Sequence, residues 1–117
     1  MTLPRDAMLL RVFISEDDKA RSRRPLYEAI VLEARAAHLA GATVLRGPLG
    51  YGHSTRLHSA KILDVAESLP LVIEIVDAEE KIKAFLPALD AMMPSGLVTL
   101  EKVQVLQYGR DVKHDPV

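Results

Sequence analysis

The chain has 117 residues, of which 49% are hydrophobic and 26% charged, with a formal net charge of −1. This length fits one domain, and the apolar fraction excludes a disordered chain, which would combine low hydrophobicity with high net charge. Balanced charge argues against a surface built for nucleic acid or anionic lipid, and the lack of cysteine excludes disulfides, zinc fingers and iron–sulfur clusters. No apolar run reaches the roughly 20 residues that span a bilayer, so we expect a soluble cytoplasmic domain.

The first regular element in the pattern is a strand from Met8 to Ser15. Its residues alternate between two faces, which is the period of an extended chain. Leu10, Val12 and Ile14 form an apolar face, whereas Leu9, Arg11 and Phe13 point the other way.

A helix and a second strand follow a charged loop, Glu16 to Arg24. Pro25 suits the first turn of a helix, where its missing N–H group would have no partner in any case. Strong helix formers predict a helix from Leu26 to about Ala40, and we expect Gly41 to end it in the left-handed conformation. Ala42 to Leu45 has the residue types of a second strand.

The middle of the chain predicts a long excursion. Gly47, Pro48, Gly50 and Gly52 lie too close together for any regular element. We expect only a helical turn, around Ala60 to Val65, before regular structure resumes.

A third strand and a second helix come next. Leu69 to Val76 alternates between faces as the first strand does. Asp77 and Glu80 have the spacing of a capping box, so we expect the second helix to begin there and to end before Gly96.

The C-terminal part predicts a long last strand from Leu97 to Tyr108. Its apolar phase shifts near Glu101 and Lys102, which indicates a bulge. We expect Gly109 to Val117 to form a loose tail.

The order β-α-β-β-α-β predicts an α+β, ferredoxin-like fold. Two helices would cover one face of a four-stranded antiparallel sheet, with the long excursion between its second and third strands. We expect a single domain over residues 1–117, with an ordered core over about residues 8–108.

In a monomer, the second face of this sheet would be polar. Here it is not. Apolar side chains lie on it, and Arg11 and Glu74 are placed to pair across neighbouring strands. A large apolar face of this kind favours burial in an oligomer. Its apolar members are Phe13, Leu45, Val72 and Val76.

The excursion has the chemistry of an anion-binding site. Between Arg46 and Lys61 there are three fixed positive charges, two histidines and no carboxylate. Glycine lets backbone N–H groups approach an anion closely, and a tyrosine ring can stack on a base. The candidate ligand-binding residues are Arg46, Gly47, Gly50, Tyr51, Gly52, His53, Ser54, Arg56 and His58.

Metal and nucleophilic sites are less well supported. His53 and His58 lie five residues apart, so a metal would need His38, His114 or a second subunit as well. A nucleophile formed by Ser54 and His58 would have no orienting carboxylate. We therefore predict no metal site and no catalytic residue.

Two charged runs are more typical of solvated surface than of a site. One is Glu16, Asp17 and Asp18, which are adjacent in a loop. The other is the run from Arg21 to Arg24, which could also hold a phosphate at the start of the first helix.

Several stretches together resemble the small, uncharacterised bacterial and archaeal PII-like family. The most specific is Leu-Ala-Gly-Ala-Thr-Val-Leu-Arg-Gly, Leu39 to Gly47, supported by Gly50 to Ser54 and Leu69 to Asp77. The resemblance extends from about residue 8 to Tyr108. It implies a relation to PII nitrogen-signalling proteins, which are ferredoxin-like trimers. These bind adenine nucleotides in clefts between subunits, at the base of a flexible T-loop that docks onto partners.

On this resemblance, the glycine-aromatic-glycine stretch opens the T-loop and lines an intersubunit nucleotide cleft with the residues after it. PII proteins have a second glycine-rich loop with a lysine that grips phosphate, but here Met93 to Leu97 occupies that place without a basic residue. The alternative is a different anion, or a nucleotide bound by Arg46, Arg56 and the run from Arg21 to Arg24. The residues that the resemblance assigns to the cleft are Gly47, Gly50, Tyr51, Gly52, His53 and Ser54.

The expected function is that of a non-enzymatic PII-like regulator. It requires no cofactor, binds a ligand of the ATP, ADP or AMP type as a homotrimer, and engages a partner through its loop. Genes of the family often lie beside that of a small fluoride-export channel, so a membrane transport or channel protein is a candidate partner. The alternative is an oligomeric scaffold or transport-associated protein whose loop binds its partner without a nucleotide.

Two other classes with this topology fit less well. Acylphosphatases carry a glycine-rich phosphate cradle after the first strand, where this chain has Ser15 to Arg24 without glycine. RNA-recognition modules need aromatic residues on the open sheet face, where Phe13 is the one candidate. We expect no nucleic-acid partner.

Overall fold

A computed structural model describes residues 3–53, 57–59, 68–110 and 112–116. The predicted helical turn around Ala60 to Val65 lies outside these residues. The described elements are β1 (Asp6–Ser15), α1 (Leu26–Ala36), β2 (Thr43–Arg46), β3 (Leu49–Gly50), β4 (His58–Ser59), β5 (Pro70–Asp77), α2 (Glu79–Met92), β6 (Leu97–Gln104), β7 (Gln107–Tyr108) and β8 (Val112–Lys113).

Four strands form one antiparallel sheet in the order β2-β5-β1-β6. Strands β1 and β5 are central in this sheet. The connection through α1 passes from β1 over β5 to β2, and the connection through α2 passes from β5 over β1 to β6. Both helices pack on one face of this sheet. The α+β, ferredoxin-like prediction is confirmed.

The core lies between this face and the two helices. Leu10, Val12 and Ile73 are fully buried on the covered face, as their alternation predicts, and Ile30 of α1 and Ile82 of α2 are buried against them. Each such aliphatic side chain contributes about 1.5–3 kcal/mol to folding by leaving water. The core needs no tryptophan because aliphatic residues from four elements fill it.

The end of α1 differs from the prediction. The helix ends at Ala36 rather than near Ala40, and His38 instead of Gly41 takes the left-handed conformation, with φ 59°. The amides of His38 and Leu39 donate back to carbonyls of the last turn, each at 3.1 Å, which is the Schellman arrangement. Leu39 is buried in the core, so tertiary packing, rather than the glycine, fixes where the helix stops.

The capping box predicted at the start of α2 does not form. The N-cap residue is Ala78, with no side-chain cap, and Asp77 Oδ1 accepts its N–H at 2.7 Å. The second oxygen, Asp77 Oδ2, accepts the N–H of Ala40 at 2.8 Å and lies 3.6 Å from Lys81 Nζ. The buried carboxylate therefore joins the start of α2 to the connection between α1 and β2.

The last strand of the sheet is shorter than predicted and regular. The register between β1 and β6 runs without interruption from Asp6 opposite Gln104 to Phe13 opposite Leu97, so the predicted bulge is wrong. Strand β6 lies at the sheet edge, and its apolar residues from Leu97 to Leu100 are exposed on both faces. Because both faces of this edge strand are largely exposed, burial does not require its apolar residues to alternate regularly. This accounts for the shift of the apolar pattern near Glu101 and Lys102.

Residues after β6 form a hairpin that the sequence pattern did not predict, since residues 109–117 were expected to be a loose tail. Strands β7 and β8 pair, with Gln107 opposite Lys113 and Tyr108 opposite Val112. His114 ties the hairpin down: its N–H donates to the Leu106 carbonyl at 2.6 Å, and its Nε2 lies 3.0 Å from the Leu3 carbonyl.

Candidate ligand-binding site

The first residues of the excursion after β2 lie against the ring of Pro70. The Gly47 N–H donates to the Pro70 carbonyl at 2.8 Å. A Cβ atom at Gly47 or Gly50 would lie only 3.1 Å from Pro70 Cγ. Glycine at these two positions thus has a local reason, the close approach of two backbone segments.

The other predicted residues of the excursion lie further out. Tyr51 is 71% exposed, His53 is exposed, and a Cβ at Gly52 would meet no atom within 4 Å. His58 is opposite Gly50 in the pairing of β3 with β4. Ser54 and Arg56 lie outside the described residues.

Arg46 is engaged by a carboxylate that is distant in sequence. Its Nη2 forms an ion pair with Glu16 Oε2, at the end of β1. Arg46 lies two residues after Val44 and so shares its face, which is the helix-covered side of the sheet. The absence of carboxylates between Arg46 and Lys61 in sequence therefore does not leave this arginine unpaired in space.

The acidic run after β1 is exposed or partly exposed, as expected of a solvated face, but its carboxylates also have partners within the protein. Besides the Glu16 ion pair, the Asp17 N–H donates to Ser68 Oγ at 3.1 Å, and the Ser68 hydroxyl donates to Asp17 Oδ1 at 2.8 Å. Asp18 Oδ2 accepts the Ser15 N–H at 2.8 Å. These bonds fasten the β1–α1 loop to the segment that returns from the excursion.

The open face of the sheet, the face that no helix covers, carries an apolar row beside a charged one. Leu45, Val72, Phe13 and Leu97 face one another across all four strands. Of these, Leu45 and Leu97 are 48% and 56% exposed.

The charged row is centred on Arg11, which pairs with Glu74 as predicted. Arg11 Nε lies 2.9 Å from Glu74 Oε2, and its Nη1 lies 3.7 Å from Glu101 Oε1. The hydrogen bond to Glu74 raises the pKa of Arg11 above its usual range. The guanidinium thus stays charged on this face, held between two carboxylates.

A cleft of about 620 Å³ opens on the same face, and the sequence pattern did not predict it. Its walls combine apolar side chains of three strands, the Arg11–Glu74 pair, the chain from Ala40 to Thr43, and the start of the C-terminal hairpin. Such a mixture, mostly apolar with a few fixed polar groups, is typical of small-molecule sites. The lining residues are Leu3, Leu9, Arg11, Ala40, Gly41, Ala42, Thr43, Glu74, Val76, Val103, Gln104, Val105, Leu106, Gln107 and Tyr108.

The structure brings some predicted residues to this face and not others. Pro70 and Val76 occupy the same face of β5, because residues two apart share a face. Gly47 and Gly50, which contact Pro70, therefore meet one end of the open face, and the cleft lies toward the other end. Arg46 is not brought to it.

The arginine run lines a second, smaller cleft of about 430 Å³, between the β1–α1 loop and the helices. Arg21 and Arg24 contribute to it, and Arg24 Nη1 lies 3.1 Å from Glu28 Oε1. Arg23 adopts φ 73°, at the turn where its N–H donates to the Ala20 carbonyl at 2.8 Å. This run therefore shapes an ordered loop.

Within the described ranges, no group of three or more His, Asp or Glu side chains is arranged to hold a metal ion. Among the same residues, no helix has the length and hydrophobicity needed to cross a membrane.

Comparison with known proteins agrees with this architecture. Residues 7–105 match the family model DUF190, described as an uncharacterized ACR. The chain belongs to the DUF190 family. An Aquifex aeolicus (strain VF5) UPF0166 protein is 42% identical over 98 residues, covering 84% of this chain and 91% of that protein. A UPF0166 protein of Methanocaldococcus jannaschii is 31% identical over 100 residues, covering 85% and 91%.

Solved structures show the same fold. CPII, a nitrogen regulatory PII-like protein from Thiomonas intermedia K12, was solved bound to ADP, AMP and bicarbonate. It superposes with a TM-score of 0.55 at 19% identity, covering 86% of this chain and 88% of that one. A CPII structure with ADP and bicarbonate gives the same TM-score at 21% identity. The DUF190 chain therefore has the PII-like fold that the sequence resemblance implied.

Proposed function

We propose that this DUF190 protein is a non-enzymatic PII-like regulator that binds a small anionic ligand, an adenine nucleotide, in an intersubunit cleft of a homotrimer. The observation that carries the proposal is the 620 Å³ cleft on the open sheet face of a PII-like fold. The CPII structures, of similar fold, contain ADP and AMP, which supports the choice of ligand.

The chemistry of the cleft suits the base and sugar of a nucleotide. Leu9, Val76 and Val103 offer an apolar surface to a flat ring. Glu74 and the Thr43 hydroxyl offer polar groups at its edge, and the backbone from Ala40 to Ala42 adds N–H and carbonyl groups. Burial against such a wall, with a few directed hydrogen bonds, is how small ligands gain both affinity and orientation.

The phosphates would leave the cleft at its edge and face the excursion, outside the apolar row that a second subunit would cover. The glycines at 47, 50 and 52, with Tyr51, His53, Ser54, Arg56 and His58, would complete the site on that side. Arg46 would join it only by leaving Glu16.

A trimer would cover the apolar row of the open face. Leu45, Phe13 and Leu97 expose contiguous apolar surface on this row. Contiguous apolar surface of this kind marks an interaction site in soluble proteins. Burial of this face would also place the cleft between subunits.

The excursion would engage a partner, for which a membrane transport or channel protein is the candidate that the resemblance suggests. Leu49, Tyr51 and Leu57 are 60%, 71% and 52% exposed there. Exposed apolar surface marks an interaction site, and tyrosine in particular is enriched at protein interfaces. The same observation favours the second candidate function, a scaffold or transport-associated protein whose loop binds its partner without a nucleotide.

A thermal-shift screen confirmed by calorimetry tests the ligand, using ATP, ADP, AMP, cyclic nucleotides, phosphate and bicarbonate. A ligand at one hundred times its Kd stabilises the folded state by about 2.7 kcal/mol. A blank screen would contradict nucleotide binding and favour the scaffold. A pull-down with the excursion intact would then decide between partners.

Two glycine variants locate the ligand. Gly41 lines the cleft and Gly52 lies on the excursion, and a Cβ at either would meet no atom within 4 Å, so a side chain can begin at both positions without a clash. We expect Gly41→Trp to weaken nucleotide binding about tenfold or more, because the indole occupies ligand space. A loss confined to Gly52→Trp would instead place the ligand on the excursion.

A further inference from the structure

The backbone of Ala40 is held on both sides by side chains that are distant in sequence. Its N–H donates to Asp77 Oδ2 at 2.8 Å, and its carbonyl accepts the Tyr108 hydroxyl at 2.6 Å. Asp77 is 1% exposed and is itself fixed, since Oδ1 accepts the Ala78 N–H. The two peptide groups that meet at Ala40 are thus oriented by one core residue, Asp77, and one hairpin residue, Tyr108.

Ala40 is the first residue of a wall of the cleft. Ala40, Gly41, Ala42 and Thr43 all line it, and they connect α1 to the edge strand β2. A connection that contains glycine and leads to an edge strand is free to reorient unless side chains hold it. The two bonds at Ala40 supply that restraint, so the backbone groups of the wall are oriented before any ligand arrives.

The hairpin that carries Tyr108 is anchored as a unit. Val105 donates its N–H to the Arg5 carbonyl at 2.7 Å, and His114 bonds to the Leu3 carbonyl. Leu3 and Val105 form a small buried cluster with Ala7, against which Tyr108 packs. The hairpin is therefore fastened at its start, at its tyrosine and at its end.

We propose that Tyr108, carried by the hairpin of β7 and β8, is a positioning residue of the ligand cleft. Tyr108 holds the wall from Ala40 to Thr43 in its binding orientation, so order in the hairpin raises affinity for the ligand. This inference rests on the proposed function, namely that the cleft binds an adenine nucleotide. A wall held in place before binding loses less conformational freedom when the ligand arrives.

The coupling must be reciprocal. If order in the hairpin raises nucleotide affinity by some factor, a bound nucleotide must stabilise the hairpin by the same factor. A tyrosine that only contributed to folding would stabilise the chain without making the hairpin respond to the ligand. The Val105 amide anchors the start of the hairpin to Arg5, and the His114 amide closes the hairpin onto Leu106, so hydrogen exchange at these two amides separates the two roles.

The experiment compares full-length wild type with Tyr108→Phe, which keeps the ring and removes the hydroxyl. Calorimetry with ADP and AMP should show affinity reduced about fivefold, the loss expected for one hydrogen bond. Tyr27→Phe is the matched control, because it removes a phenol hydroxyl from α1, packed against the core of the helix-covered face. It should leave the affinity unchanged.

Exchange is measured on the same samples with and without saturating ADP. In the wild type, ADP should slow exchange at the Val105 and His114 amides, and Tyr108→Phe should abolish this slowing. If ADP binds but neither amide responds, or Tyr108→Phe binds ADP as tightly as wild type, the positioning role is overturned and the proposed function stands. If wild type binds no adenine nucleotide, the proposed function fails and this inference fails with it.

Discussion

The two faces of the sheet use the same strands for different purposes. Toward the helices, the alternate residues of β1 from Leu10 to Ile14 and of β5 from Leu71 to Ile75 are aliphatic and buried. On the open face, the intervening residues are a half-buried mixture with Arg11 and Glu74 at its centre. A face with a layer of helices against it can be wholly apolar, whereas a face that binds a ligand or a second subunit must also keep directed polar groups.

The two faces should differ most in the free energy of unfolding that is lost when one residue is truncated on each. Ile73 and Val72 are neighbours on β5, but Ile73 is fully buried and Val72 only partly. We expect Ile73→Ala to lower the free energy of unfolding by about 2–5 kcal/mol, because it leaves a cavity in packed core. Val72→Ala, which leaves no enclosed cavity, should cost clearly less. Urea unfolding of both variants measures this, and equal losses would mean that both faces are buried alike.

A charge on the open face should break assembly without unfolding the chain. We expect the wild type to sediment as a trimer at micromolar concentration and Phe13→Glu to sediment at one third of that mass with unchanged circular dichroism. A buried, unpaired carboxylate is strongly unfavourable at an interface. Leu32→Glu, on an exposed position of α1, is the control and should remain trimeric. A wild-type monomer would refute the trimer, and a Phe13→Glu trimer would place the interface elsewhere.

Substitutions in the charged row of the open face should have the smallest effect on stability. Arg11→Gln and Glu74→Gln, alone and together, should change the melting temperature only slightly, since partly exposed ion pairs contribute little to stability. The coupling between the two substitutions should shrink further at high salt because mobile ions screen it. A large, salt-independent coupling would show that this row is desolvated, as it would be beneath a second subunit.

Much of the fold follows from local pattern. Period 2 in β1 and β5 identified the buried residues and the pairing of Arg11 with Glu74, and the order of elements identified the topology. The errors occurred where a tertiary contact outweighed a local preference. Leu39 ends α1 by entering the core, and Asp77 bonds to Ala40 instead of capping α2.

The candidate site was only partly accessible to sequence reasoning. Glycine, arginine and tyrosine concentrated in one stretch identified the excursion, because that signal is local. The cleft has no such signal, since its walls come from segments as distant as Leu9, Gly41, Val76 and Tyr108. The sequence pattern predicts Tyr108 as the last residue of a strand, and nothing near it in sequence indicates a hydrogen bond to the Ala40 carbonyl.

The sequence by itself determined the α+β topology, the covered face of the sheet and the family, because alternation and glycine placement are properties of neighbouring residues. Only the tertiary structure decided which charges are paired and where a ligand can enter. Glu16 and Arg46 lie 30 positions apart, and Tyr108 and Ala40 lie 68 apart. Contacts over such distances depend on how strands and loops pack, and no local pattern in the chain encodes them.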